Sequence, residues 1–487
     1  MPVSPVYRPD PQFPALGREF ADPVAAADFP AAILRYRNDQ AAATVGLNTL
    51  SDDEWVAHFG RFRPLPGNID PPIAQRYHGH QFRVYNPDLG DGRGFLFAQL
   101  REAGTDRLLD LGTKGSGQTP WSRQGDGRLT LKGGVREVLA TAMLEALGVP
   151  TSRSFSLVET GEALQRGDEP SPTRSAVLVR LSHSHVRFGT FQRHAYFEAK
   201  DRVGALVDHV VGLYYPELEG ANDRPAALLE AVCGRAARLT ARWMAAGFVH
   251  GVMNTDNMNV TGESFDYGPY RFLPKSDPNF TAAYFDHSGL YSFGRQPEAV
   301  FWNLQQLAGC LSLVTGSDAL VDALNGFGPA YRRELMAAML ARLGVAPQGD
   351  EADAALVQAA FGAMAEGGEQ LRWEPFFFDW FGGREDRALK GPRADLYAGS
   401  DFAEFRQRLG AYAADRPERL DHPYFAGPEP EELLIDEIEA IWADIDRRDD
   451  WSALHAKLAR IETARVAWDL SPAASATPTA PGQRPPG

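Results

Sequence analysis

The sequence predicts an α+β chain of two lobes: a small β-rich lobe carrying one helix, then a larger helical lobe. Three observations predict it. From Tyr85 the chain breaks into short apolar runs separated by glycine turns. A single stretch of helical periodicity, Leu131–Leu147, interrupts them, and beyond Arg187 nearly every apolar run has helical spacing.

Taken in order, residues 1–70 are rich in Pro, Ala and Asp and read as an N-terminal extension, with a helical patch near Ala31–Leu50. GFLFAQL and LLDLGTK follow, joined by a glycine-containing connection, which is the pattern of a hairpin. In Leu131–Leu147, Val135, Val138, Leu139, Ala142 and Ala146 recur at helical spacing, and Gly148 and Pro150 supply a stop. SFSLVE and AVLVRLS are two further strand candidates, completing a small lobe over 71–186. Helical periodicity over Val203–Tyr215, Ala226–Gly247 and Val300–Thr315 marks a large lobe over 187–345. A helical C-terminal extension over 346–470 has IDEIEAIWADIDRR as its clearest helix. The tail 471–487, SPAASATPTAPGQRPPG, holds too little apolar bulk to offset its ordering entropy and is expected to be disordered. This succession, with its N-terminal and helical C-terminal extensions, is the bilobal layout of a protein-kinase-like fold, an analogy that leaves the reaction open.

Composition excludes some functions. At 44% hydrophobic and 23% charged residues, the 487-residue chain has ordinary globular proportions. A net charge of −15 argues against a broad nucleic-acid surface, which needs clustered cations, yet permits a local basic pocket. Cys233 and Cys310 sit in apolar surroundings and read as small core residues of a reducing compartment. MPVSPVYRPDPQF is no secretory signal and no apolar run approaches membrane-spanning length, so the expectation is a cytoplasmic protein with no membrane and no nucleic-acid partner.

Five constellations carry chemistry. LGDGRG places Gly90, Gly92 and Gly94 before a strand; such glycines let backbone approach a phosphate, and Arg93 adds a cation, although an ordinary hairpin turn has the same look. Lys114 leaves the strand LLDLGTK, where it either meets an anion or reaches solvent. Glu137 lies off the apolar stripe of the following helix, facing solvent or a second packed surface. Glycine loop, strand lysine and helix glutamate in that order match the small-lobe arrangement that holds phosphates in kinases. In SRQGDGR, Asp126 and Gly127 form a turn between lysine and helix that is either an ordinary tight turn or a wall of the nucleotide pocket. Arg180 and Arg187 could neutralise a triphosphate or serve as structural ion pairs.

The fifth is HGVMNTDNMNV with SFDYGPY. Asn257 and Asp266 offer one amide oxygen and one carboxylate, which suits Mg2+ already bound to ATP, and Asp256 is left free to accept a proton. Two His-x-His pairs, His78/His80 and His183/His185, are a rival zinc pattern, but no acidic metallohydrolase motif accompanies them.

With YHGHQF, NPDLGDGRGFLFAQ, DLGTKGSGQTPWSRQGDGR, VREVLATAMLEALGVPT, VLVRLSHSHVRFGTF, HGVMNTDNMNV, FDYGPY and FGRQPEAVFWNLQQLA, the chain resembles the selenoprotein O family of protein adenylyltransferases over about residues 70–310. The resemblance implies a kinase-like fold with ATP bound in a flipped pose, so that AMP passes to Ser, Thr or Tyr hydroxyls of proteins and pyrophosphate leaves. It implies nucleotide contacts from Gly90, Gly92, Arg93, Lys114, Asp126, Gly127, Arg180 and Arg187, with Glu137 pairing Lys114. Asn257 and Asp266 would hold Mg2+ or Mn2+, and Asp256 would accept the proton. UMP transfer from UTP with manganese is a second donor chemistry it leaves open. The family's selenocysteine or cysteine near the C-terminus has no counterpart in the tail, and DPNFTAAYFDHSG also lacks a cysteine that some members carry.

One physical point separates this from ordinary kinase chemistry. A kinase catalytic loop reads His-Arg-Asp with Asn five residues after the Asp, whereas His250 is followed by Gly251 and Val252, and Asp256 and Asn257 are adjacent. Transfer of the γ-phosphate by standard geometry is therefore disfavoured. A protein or small-molecule kinase transferring the γ-phosphate, or an inactive nucleotide-binding scaffold, remains the alternative.

Overall fold

The computed structural model describes residues 4–167 and 169–470; the tail expected to be disordered lies outside the described residues. It is a mixed α and β structure built on an open sheet.

The strands are β1 (Ala21–Pro23), β2 (Ile33–Arg37), β3 (Ile73–Gln75), β4 (Gly79–Gln81), β5 (Val84–Asn86), β6 (Leu96–Arg101), β7 (Leu108–Lys114), β8 (Leu129–Thr130), β9 (Arg153–Leu164), β10 (Thr173–Ser182), β11 (Phe248–His250) and β12 (Tyr270–Phe272). Among the described residues the main sheet has eight strands in the order β1-β3-β6-β7-β10-β9-β2, with β8 pairing on β10. Its pairings are antiparallel. β4–β5 and β11–β12 are separate two-stranded ribbons.

Both faces of the sheet are covered, and the period of two along each strand decides which residue goes where. On β10, Ala176 and Leu178 join one core while Val177 and Val179 join another. The first core is formed with α3 (Leu131–Ala146), the second with α1 (Asp39–Thr44) and α2 (Asp52–Phe59). α3 starts where the Thr130 side chain accepts from Gly133 N, and stops at Gly148, whose φ of 72° is the left-handed conformation of a helix C-terminus.

The N-terminal 70 residues depart from the expectation of a mere covering layer: they supply β1 and β2, the two outermost strands of the sheet. The helical patch expected near Ala31–Leu50 is in fact β2 followed by α1. Pairing with β9 draws Ile33–Arg37 into an extended form, and Asn38 then caps α1 by accepting from Ala41 N. In the region expected to be helical, α4 (Phe188–Tyr196), α5 (Lys200–Tyr214), α6 (Arg224–Ala245) and α7 (Gln296–Leu311) pack around β11 and β12. The late helix Ile435–Arg448 has the bounds its apolar spacing predicts. Cys233 and Cys310 are buried free thiols. Among the described residues no helix is long and apolar enough to cross a membrane.

Candidate active site

A cleft of about 760 Å³ opens where the end of β7, the loop after β11 and the start of β12 converge. Among the described residues its lining carries seven cationic side chains (Arg93, Lys114, Arg123, Arg128, Arg166, Arg180 and Arg187) against four carboxylates (Asp91, Asp126, Asp256 and Asp266). A chain of net charge −15 thus folds a basic pocket, the setting an anionic ligand needs.

The floor is a network around Asp266. Lys114, the last residue of fully buried β7, reaches Asp266 Oδ1 at 2.7 Å and also bonds Glu137. Glu137 is therefore buried against the lysine, which settles the two orientations left open by the helical pattern. Arg180 Nη1 is 3.3 Å from Asp266 Oδ1 and Arg187 Nη1 is 3.5 Å from its Oδ2. Burial alone would raise the Asp266 carboxyl, but Lys114, Arg180 and Arg187 outweigh it and hold the group well below the usual carboxylate range. Asp266 itself adopts φ 67°, a left-handed backbone that aims the carboxylate back under β7 and β10. The Arg187 guanidinium is sandwiched between Tyr77 and Phe265, at 4.6 and 4.7 Å from their ring centroids.

Asp256 sits in the short turn Thr255–Asn257. Its backbone oxygen accepts from Arg187 Nη1 at 2.7 Å, whereas its buried Oδ1 has no hydrogen-bond partner. Burial raises its carboxyl to about 6, with the Arg187 charge opposing the rise. A side chain at Gly79 would put Cβ 3.0 Å from that oxygen, so glycine keeps the space open. Asn257 donates from Nδ2 to the Val252 carbonyl at 2.9 Å, which reserves its amide oxygen as the atom a cation would take. Among the described residues no group of three or more His, Cys, Asp or Glu side chains could hold a metal by itself. One amide oxygen and one carboxylate suit a cation whose remaining ligands come from a polyphosphate.

The glycine loop forms the roof. Gly94 lies so close to β7 that a Cβ would fall 2.0 Å from the Thr113 carbonyl oxygen, and a Cβ at Gly90 would enter the Trp121 ring. The Arg93 carbonyl accepts from Gly115 N at 2.6 Å, pinning the loop to the exit of Lys114. Gly127 has φ 70° and closes on Gly117. Asp126 lines the cleft, but its carboxylate is held by Arg166 at 2.8 and 3.1 Å, so it fastens the wall and is not a free acid.

All the residues that the sequence assigns to nucleotide, metal or proton, except Glu137, line this cleft directly, and Glu137 bonds its lysine. Sequence reasoning missed Asp91, which accepts from Gln75 N at 3.0 Å and faces Arg187 at 3.5 Å, and Trp121, whose Nε1 donates to Asp22 at 2.9 Å. Both lie within motifs quoted above, Asp91 between two of the chosen glycines and Trp121 in the stretch between Lys114 and Asp126. Arg166 carried no sequence signal, since it comes from the β9–β10 connection. The His-x-His pairs serve separate contacts: His78 Nδ1 meets Tyr85 OH at 2.7 Å, His80 Nδ1 meets Gln192, and His185 Nδ1 meets Asp110.

A basic cleft with a lysine–glutamate pair, an amide–carboxylate pair and a lone buried carboxylate has the chemistry to hold a nucleoside polyphosphate with a divalent cation and to take up a proton. The family model described as "Protein adenylyltransferase SelO" matches residues 7–462, and the chain belongs to that family. It is 44% identical over 478 residues to the protein nucleotidyltransferase YdiU of Synechocystis sp., covering 93% of this chain and 98% of the relative. Over 468 residues it is 46% identical to the YdiU of Gloeobacter violaceus, covering 93% and 94%. The YdiU of Vibrio cholerae is 39% identical over 328 residues, covering 67% and 66%.

Proposed function

We propose that this chain transfers AMP from ATP to Ser, Thr and Tyr hydroxyls of proteins. The observation that carries the reading is Asp256: a buried carboxylate with an unpartnered oxygen and a proton affinity raised to about 6, adjacent to Asn257, in a loop with no acid where a kinase keeps its base. The fold is read as a kinase-like pair of lobes, 71–186 and 187–345, with extensions 1–70 and 346–470, and the protein as cytoplasmic.

In this mechanism the glycine loop Gly90–Gly94 and Arg93 cover the polyphosphate, and Gly127 with the Asp126–Arg166 pair closes the wall. Lys114, Arg180 and Arg187 balance the phosphate charge, and Glu137 aims Lys114. Asn257 and Asp266 would hold Mg2+ or Mn2+, which when bound neutralises phosphate charge. The acceptor oxygen attacks the α-phosphorus, the bond from that phosphorus to the bridging oxygen breaks, and pyrophosphate leaves. The hydroxyl proton goes to Asp256 Oδ1. UTP in place of ATP would deliver UMP by the same steps.

The test is transfer of label from ATP carrying 32P at the α or the γ position, with Mg2+ or Mn2+. Label should reach protein from the α position alone. Transfer from γ alone would establish kinase chemistry, and nucleotide binding without transfer from either would establish a scaffold.

A further inference from the structure

Of the seven cations that line the cleft, five are already paired with carboxylates: Lys114, Arg128, Arg166, Arg180 and Arg187. Arg93 is unpaired among the described residues, but it belongs to the glycine loop that the proposed mechanism sets over the polyphosphate. Arg123 has no task so far. Its exposed side chain lines the cleft and makes no ion pair, hydrogen bond or ring contact among the described residues.

Exposure alone would make it an ordinary solvated arginine. Its backbone argues against that. Arg123 has φ 54°, in the left-handed region that glycine enters freely and a long side chain rarely does. Both flanks enforce this conformation. On one side Thr119 Oγ1 donates to the Asp91 carbonyl at 2.6 Å, and Ser122 Oγ donates to the Gly92 carbonyl, so the segment is clasped to the glycine loop. A Cβ at Gly92 would lie 2.8 Å from the Trp121 carbonyl oxygen, which shows how closely the two loops run. On the other side Gly125 N donates to the Ser122 carbonyl at 2.7 Å, closing a turn with Arg123 as its first inner residue. Glycine, asparagine and aspartate are the usual occupants of that position when φ is positive. Strain kept at a cleft residue points to a use for its side chain.

The side chain shares the cleft with Asp256, and its charge is one of those that oppose the rise of that carboxyl. In the proposed mechanism Asp256 takes the acceptor's proton, so the attacked phosphorus lies beside it. Arg187 also reaches Asp256, through the backbone oxygen, but its guanidinium is already shared among Asp91, Asp266 and two rings. Arg123 is the unpaired cation on this side of the cleft.

We propose that Arg123 is a catalytic residue of the transfer, its guanidinium donating to a non-bridging oxygen of the α-phosphate as the acceptor oxygen bonds to that phosphorus. The bond to the bridging oxygen breaks, its electron pair leaves with pyrophosphate, the acceptor's proton goes to Asp256, and Arg123 keeps all its protons. A guanidinium with no carboxylate partner gives up no ion pair when it closes on phosphate, whereas Lys114, Arg180 and Arg187 each exchange one. The inference rests on the reading that the α-phosphorus is the one attacked.

The experiment uses the full chain, α-labelled ATP with Mg2+ and dephosphorylated casein, comparing Arg123→Gly and Arg123→Lys with wild type. Glycine relieves the positive φ, so a role confined to loop shape would survive it. Arg123→Gly should melt at or above the wild-type temperature and lose about a hundredfold in kcat, with the KM for ATP within about threefold of wild type. Arg123→Lys keeps the charge without the planar fork and should retain at least about ten times the kcat of Arg123→Gly. If glycine loosens the loop, read from its melting curve, Arg123→Asn carries the same test, since asparagine also tolerates this conformation. Wild-type kcat in Arg123→Gly overturns the proposal and leaves the residue a loop former. A rise in the KM for ATP or for casein at unchanged kcat overturns it as well, by moving the contact to the bound ground state or to the acceptor. So does a lysine variant no faster than the glycine one, because charge at the position would then not matter. If wild type itself passes no α label, the proposed function fails, a result that no Arg123 variant can mimic.

Discussion

Asp266 Oδ1 and Lys114 Nζ lie 2.7 Å apart at the centre of a cluster in which one carboxylate serves three cations. With Glu137 committed to Lys114 and Asp91 reaching only Arg187, Asp266 is the carboxylate that Arg180 and Arg187 share. In the proposed mechanism, phosphate and metal would take over that task when the nucleotide binds.

Asp266→Ala should therefore split two properties that usually fall together. Metal-dependent transfer should be lost, because a proposed metal ligand is gone. Binding of metal-free pyrophosphate should tighten, because Arg180 then has no carboxylate partner while Lys114 and Arg187 keep only Glu137 and Asp91. Calorimetry with pyrophosphate and excess chelator reads the second effect; weaker binding than wild type would show that Asp266 does not compete with phosphate for these cations.

Asp256 gives a pH prediction. Its folded-state carboxyl, raised from 3.8 to about 6, binds a proton more tightly than the same group in the unfolded chain. Between those values the unfolded state sheds the proton first, so stability falls as pH rises through the interval. Above about 6 the full penalty is present, roughly 3 kcal/mol at 1.36 kcal/mol per unit. Asp256→Asn should thus raise the melting temperature at pH 8 but not at pH 4, measured without nucleotide or metal, while lowering transfer at least a hundredfold. Equal melting temperatures at both pH values would show that burial does not strain this carboxylate.

Much of the site was legible because its residues stand in a fixed order on elements with strong local patterns. Lys114 ends an apolar strand, Glu137 follows in a helix with an apolar stripe, and Asp256 and Asn257 are adjacent within a polar loop. What escaped was made by tertiary contact. β2 pairs with β9, whose partner residues lie more than a hundred positions along the chain, so an Ala-rich stretch looked helical until that pairing was known. Trp121 and Arg166 act through Gly90 and Asp126, and neither partnership leaves a spacing to read.

Gly127→Ala tests the wall of the cleft. The position has φ 70°, and a Cβ would lie 2.3 Å from the Gly117 carbonyl oxygen, so strain and clash add. The Asp126–Arg166 pair next to it would shift with the loop. The expected result is a loss of about 1–3 kcal/mol in urea unfolding and a several-fold rise in the KM for ATP. A wild-type KM for ATP would place the turn outside the nucleotide's reach.

The Lys114–Glu137 pair can be separated into its folding and catalytic parts. Both side chains are almost wholly buried, so Lys114→Ala leaves the Glu137 carboxylate without its partner, and breaking such a pair from one side costs about 3–5 kcal/mol. Removing both charges as Lys114→Met with Glu137→Leu leaves no orphan and should recover most of that stability. Transfer from α-labelled ATP should stay lost in both variants, because the proposed phosphate contact needs the amine and not merely a folded chain. If the double variant regains activity along with stability, the pair serves the fold alone, and phosphate positioning falls to Arg180 and Arg187.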